Sequence, residues 1–368
     1  MKSSEIIIIG GGLAGLTAAR ELAASGREVT VFEKQRFPHH KVCGEYLSRE
    51  VVPYLERSGI PLGDAPGIDA LVLSSPGGRS LTCRLPLGGI GISRYALDNR
   101  LFQAAESKGV RFVWEPAETV RSVGSKFEVS SRGGLWQAGH VLGCWGKRSA
   151  LDRSQNRPFF TKSSPWLGIK MHYRADYPSN QVGLYGFKGG YGGLSVTETG
   201  AVNFCYLVHK DRFRETPNLE SCTRSLLKEH PGLYEVLDRA EPLFEKPLGI
   251  SNIYFGRKDL SKDHILMSGD AARLIHPLCG NGMAMAIQAG RLQAQVLNAY
   301  IKGKISDRKV LEEHFIKAWR GEFRTRLRAG GWLQYILTSP GGVELGIRIG
   351  ALAPFLLRRV IQQTHGTL

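Results

Sequence analysis

The chain has 368 residues, 42% of them hydrophobic and 22% charged, and a formal net charge of +16. This is the composition of a soluble globular protein long enough for two domains, or for one with an inserted subdomain. It excludes a membrane-spanning helix, since no apolar run approaches the roughly 20 residues that crossing requires, and the short run after Glu5 does not read as a signal peptide.

The first element is a strand. Ile6, Ile7, Ile8 and Ile9 are β-branched residues in a row, as in a strand buried on both faces of a parallel sheet. Gly10, Gly12 and Gly15 follow with the spacing G-x-G-x-x-G: a tight turn, a close backbone approach to a pyrophosphate, and close helix–strand packing. A helix is predicted from Leu13 to Ser25, its free N–H groups and positive dipole end facing the phosphates. A second strand from Glu28 to Phe32 ends at Glu33, where a carboxylate would hydrogen-bond a ribose hydroxyl. Together these predict a dinucleotide site.

Residues 36–46 read as a loop broken by Pro38 and Gly44, ahead of a helix from Arg49 to Ser58 that Ser48 is placed to cap. Strands near 68–73 and 80–85 flank Pro76-Gly77-Gly78 as a hairpin. Arg94 to Lys108 is an amphipathic helix with Leu97, Leu101, Phe102 and Ala105 on one face, and the strand Val110 to Trp114 resumes the βαβ alternation. Short strands follow at 126–130 and 136–142. From about 160 to 255 the pattern becomes alternating and aromatic-rich, which predicts an antiparallel sheet interrupted by one helix near 217–229.

At Ile265-Leu266-Met267 the chain returns to a buried strand, which ends at Gly269-Asp270. A loop containing His276, Cys279 and Gly280 leads through Gly282 and Met283 into an Ala-rich helix to about Tyr300. Two strand–loop–helix units suggest a ligand held at both ends. Asp270 could bind a polyol chain, and the N–H groups near Gly282 and Met283 could face a ring that becomes anionic when reduced. A dinucleotide with such a ring is FAD.

These landmarks resemble the FAD-dependent oxidoreductases of the p-hydroxybenzoate hydroxylase fold, in their geranylgeranyl-reductase-like branch. The motifs are Gly10 to Gly15 with Glu33, Lys41-Val42-Cys43-Gly44-Glu45, Arg94 with Leu97-Asp98, the strand with Val120, and Gly269-Asp270 through Met283. The resemblance implies an α/β architecture: a discontinuous Rossmann-type FAD domain at 1–160 and 255–305, an inserted antiparallel substrate sheet at 161–254, and a helical C-terminal region at 306–368. It implies FAD contacts at Ala14, Glu33, Gly44, Arg94, Val120, Asp270, Gly282 and Met283. Gly10, Gly12 and Gly15 of the glycine loop, with Lys34, Cys43 and Gly280, complete the cofactor-binding set. Where many hydroxylases of this fold have Asp-Gly, this chain reads Trp145-Gly146, and the Trp-x-Trp-x-Ile-Pro signature of flavin halogenases is missing.

The chemistry then lies on the flavin, with the protein supplying position, electrostatics and exclusion of water. Two activities fit: hydride transfer to or from a carbon–carbon bond of an apolar isoprenoid-, lipid- or polyketide-like substrate, or NAD(P)H-dependent monooxygenation of an aromatic or lipid-like metabolite. Candidate proton donors are His276, which titrates near neutral pH, and Tyr191 in a Gly-rich segment. No metal site is expected: the six cysteines offer no local C-x-x-C pair, and reduced thiols in a cytoplasmic protein are the expectation.

The positive charge admits an anionic partner. No nucleic-acid-binding motif is present. In the tail, Arg320, Arg324, Arg326 and Arg328 precede Trp332 to Leu337, and a second apolar stretch, Ile347 to Leu357, runs into Arg358-Arg359. Such segments either lie in a membrane interface, their arginines facing lipid phosphates, or pack on the FAD domain as a cap.

Overall fold

The four isoleucines set the centre of the first sheet. In the computed structural model, which describes residues 1–339 and 341–364, Ile6, Ile7 and Ile8 are fully buried in strand β1 (Lys2–Ile9). β1 runs parallel to β2 (Val29–Phe32) on one side, with helix α1 (Leu13–Ala24) between them in sequence. The 46–91 segment supplies β3 (Tyr46–Ser48), α2 (Val52–Arg57), β4 (Gly67–Ser74) and β5 (Ser80–Gly91). Then come α3 (Arg94–Glu106), β6 (Arg111–Val113), β7 (Thr119–Val123), β8 (Lys126–Ser131), β9 (Gly134–Gly143) and α4 (Ala150–Ser154). β1 pairs in parallel with β9 on its other side, and β6 extends the sheet beyond β2.

The second sheet holds β10 (Trp166–Arg174), β11 (Gln181–Phe187), β12 (Gly190–Val196) and β13 (Val202–His209), followed by α5 (Lys210–Arg214), α6 (Leu219–Glu229) and α7 (Pro231–Leu237). Short strands β14 (Glu241–Pro242) and β15 (Leu248–Ile250) pair with β10. The chain re-enters the first sheet through β16 (Ser261–Lys262) and β17 (Ile265–Met267), the latter parallel to β9. Four helices close the fold: α8 (Gly282–Ile301), α9 (Arg308–Thr338), α10 (Gly342–Leu352) and α11 (Pro354–Thr364).

Within residues 46–91 the structure departs from sequence expectation in two places. β3, β4 and β5 join the second sheet rather than the nucleotide domain, with β4 pairing β11 in parallel, so that sheet is mixed and reaches back to residue 46. A hairpin has no local signal for which sheet it will join; that is set by the partner edge. Also, Ser48 makes no capping bond: the chain passes through a short 3-10 turn at Arg49–Val51 before α2, which starts with Pro53 in its first turn.

Helix packing brings the two loop–helix units together. A Cβ on Gly290 of α8 would lie 2.2 Å from the Ala14 carbonyl oxygen. α8 and α1 therefore touch backbone to backbone, which sets both helix starts beside one cleft.

Candidate functional site

At the first end of the cleft, backbone geometry does the work. Gly10 has φ +107°, and a Cβ there would lie 2.3 Å from the Cys144 carbonyl oxygen, so both conformation and space demand glycine. Gly12, by contrast, faces open space. α1 starts there with no side-chain cap and no acidic residue in its first turn, so its N–H groups are available to an anion. The Gly11 N–H donates to Glu33 Oε2 (2.8 Å) and the Gln35 N–H to Glu33 Oε1 (3.0 Å), which orients the carboxylate at the sheet's C-terminal edge. Ala14 is buried against Gly269 and Gly290, Lys34 is exposed, and Val120 lies within β7, paired with Val129.

The second end is charged. Asp270 reaches solvent yet is walled in by protein. Burial raises its carboxyl, against the pull of Lys258, Arg94 and Lys147. Lys258 Nζ donates to the carbonyls of Asp270 (2.6 Å) and Lys147 (2.7 Å), and burial lowers its ammonium to about 8. The Arg94 guanidinium is held two-pronged by Asp98, at 2.7 and 2.8 Å, while Lys41 takes the same carboxylate at 2.7 Å. Gly280 has φ +63° and lies under the Tyr46 ring. The buried Asn281 donates to the Thr364 carbonyl (2.7 Å), and α8 begins at Gly282-Met283 without a side-chain cap.

Between the two ends lies the loop Lys41–Glu45, and what holds it was not apparent from sequence. Glu45, at φ 55°, is completely buried with Lys170, and their charges meet at 2.5 Å. Its other oxygen accepts from His172 Nε2 (2.7 Å), and it also accepts the Arg94 N–H at the start of α3 (2.8 Å). Burial would raise the Glu45 carboxyl, but His172 and Lys170 outweigh that and hold it below its ordinary value. Three further bonds tie the loop's carbonyls to the second sheet: Lys170 Nζ to Lys41 (3.2 Å), Asn203 Nδ2 to Cys43 (3.1 Å) and Ser195 Oγ to Gly44 (3.0 Å). Gly44 stays exposed. Ligand atoms of His40, Glu45 and His172 lie within 4.8 Å of one another, but the Lys170 ammonium already neutralises Glu45. The cluster is a charge-balanced clamp rather than a cation site.

The two candidate proton donors differ in their surroundings. His276 packs against Phe255 with the rings tilted and their centroids 4.1 Å apart, and its Nδ1 bonds Gln334 of α9. Burial lowers its pKa to about 4, so at neutral pH it carries no spare proton, and its contacts position the loop. Tyr191 is buried on β12 among Leu207, Ile253 and Leu278. Its hydroxyl accepts the Leu278 N–H at 3.2 Å, and burial holds the phenol protonated far above its ordinary range. All six cysteines are free. Burial raises the Cys43 thiol and pushes Cys144 and Cys279 up to about 12, so none is a thiolate at neutral pH.

An FAD molecule fits this donor set. The open approach at Gly12 and the uncapped α1 suit a pyrophosphate, Glu33 suits a ribose, and Asp270 with the uncapped α8 suits the far end. Comparison with known proteins agrees. The profile of the FAD dependent oxidoreductase family matches residues 5–42. The chain is 26% identical over 331 residues to the menaquinone reductase of Mycobacterium tuberculosis, covering 81% of this chain and 77% of that one. Among solved structures, a flavin-dependent brominase superposes with TM-score 0.83 at 18% identity, covering 99% of this chain and 93% of that one. A geranylgeranyl bacteriochlorophyll reductase-like protein from Thermoplasma acidophilum superposes with TM-score 0.71 at 19% identity, covering 99% and 100%.

Proposed function

We propose that the chain is an FAD-dependent oxidoreductase and, within that class, a reductase saturating a carbon–carbon double bond in an apolar, isoprenoid-like substrate. The observation that carries this reading is Tyr191, a phenol in an apolar wall formed by Leu207, Ile253, Leu278 and their neighbours, with the Leu278 N–H directed at its oxygen. When bound and reduced, by NAD(P)H or another two-electron donor, FAD supplies a hydride. Tyr191 gives its proton to the second carbon of the former double bond. The Leu278 N–H, already directed at its oxygen, stabilises the phenolate left behind until solvent reprotonates it. The second sheet excludes water from the bond being reduced, and the clamp on Lys41–Glu45 keeps the loop backbone fixed beside it. The menaquinone reductase similarity supports an isoprenoid-bearing substrate.

The test is anaerobic. Enzyme whose flavin has been chemically reduced should recover its oxidised absorbance on addition of a prenylated quinone or a geranylgeranyl lipid. A Tyr191→Phe variant should bind FAD normally but reoxidise slowly. Oxygen consumption matching NAD(P)H and substrate, with no anaerobic turnover, would overturn this reading and select the monooxygenase.

A further inference from the structure

The C-terminal helices have two different faces. On α9, Phe315, Trp319, Phe323 and Leu327 are buried in the nucleotide-domain core. Close packing continues at Gly330, where a Cβ would lie 2.8 Å from Cys279 Sγ. The flank beside that buried face carries Arg320, Arg324 and Arg328, all exposed and four residues apart, so they form one stripe. The stripe runs on into Trp332 and Tyr335, which are 72% and 73% exposed. α10 presents Leu345, Ile349 and Leu352 one turn apart on a single face, Leu352 at 88% exposure, and α11 adds Phe355 at 68%. Most of the large hydrophobic side chains exposed among the described residues fall in this one stretch.

The charges are equally one-sided. Arg326 does not belong to the exposed stripe. It turns inward to Glu50 (2.9 Å) and Glu322 (2.6 Å), correcting the sequence-based grouping of four arginines. The stretch's two carboxylates are both engaged, Glu322 by Arg326 and Glu344 by Arg79. Arg320, Arg324, Arg328, Arg348, Arg358 and Arg359 remain exposed. Two copies meeting through this face would press like charges together.

We propose that this face, α9 from Arg320 onward with α10 and α11, docks the protein on an anionic lipid bilayer. Exposed Trp, Tyr, Leu and Phe enter the headgroup boundary, and the arginines meet lipid phosphates. No helix among the described residues is long and apolar enough to cross a membrane, so the contact is peripheral. The proposal does not depend on the substrate reading.

The test uses the full FAD-loaded chain and vesicles of phosphatidylcholine alone or mixed with phosphatidylglycerol. The protein should co-sediment with the anionic vesicles and be released by salt. A triple variant, Arg320→Gln with Arg324→Gln and Arg328→Gln, should bind about a hundredfold more weakly. A second variant, Trp332→Ser with Tyr335→Ser, Leu352→Ser and Phe355→Ser, should fail to pellet while keeping its flavin absorbance. Two results would overturn the proposal: equal behaviour with both vesicle types, and a lipid-independent dimer in velocity sedimentation that these substitutions dissolve.

Discussion

The cleft is built at its two sides by different means. At the β1–α1 turn, the residues that matter lie within a few positions of one another and act through backbone shape. At the Lys41–Glu45 loop, the holding groups come from Lys170, His172, Ser195 and Asn203, more than a hundred residues away, and act through charge and side-chain hydrogen bonds. A turn defined by glycine spacing tolerates no side chain, whereas a clamp made of a buried ion pair tolerates no unpaired partner. The two should therefore fail differently.

The largest effect belongs to the turn. Gly10→Ala places a methyl group 2.3 Å from the Cys144 carbonyl oxygen at a φ that disfavours any side chain. The variant should purify without flavin absorbance or fail to accumulate, whereas Gly12→Ala, which meets open space in the free protein, should fold and lose FAD affinity only. Equal retention of FAD by both would break the backbone account. On the clamp side, Glu45→Gln leaves the Lys170 ammonium buried with no counter-charge, at a cost of roughly 3–5 kcal/mol in unfolding free energy. Lys170→Met on top of it should restore part of that loss, a coupling that a double-mutant cycle reads directly.

The same contrast explains what was legible in the sequence. The glycine spacing, Glu33 and Asp270 stand beside strands whose composition announces them, so the fold and the candidate residues for FAD could be read locally. The clamp could not. Lys170 and His172 alternate with Ile169, Met171 and Tyr173, so the pattern reads them as the solvent-facing side of a strand that is in fact buried on both faces, and nothing local says that Glu45 awaits them. Glu45 itself was visible only as part of a motif. The same limit applied to residues 67–91, whose hairpin reads clearly but whose sheet does not, and to Arg326, which helical spacing groups with its exposed neighbours although it reaches Glu50 across the fold.

A smaller effect is expected at the other end of the cofactor. Asp270→Ala removes a charge-assisted acceptor worth roughly 1.5–3 kcal/mol, so FAD should bind about ten- to a hundredfold more weakly. Titration of the apo chain with FAD measures this, and unchanged affinity would mean that Asp270 does not hold the far end.

The smallest effect concerns His276, whose contacts join the flavin-side loop to α9. Its imidazole takes a proton near pH 6.5 when unfolded but resists until about 4 when folded, because burial opposes the charge. Between those values the unfolded chain binds more protons, so acid favours unfolding. The stability it contributes is complete above pH 6.5 and is lost as pH falls toward 4. At pH 5 the loss should be about 1 kcal/mol after allowance for solvent access to the ring. His276→Gln removes the titration but keeps an amide able to face Gln334. Thermal unfolding of the FAD-loaded protein at pH 7 and pH 5 should therefore show a shallower acid loss in the variant. Identical pH dependence in the two proteins would mean that His276 is open enough to accept its proton freely, which would return it to the list of candidate acids beside Tyr191.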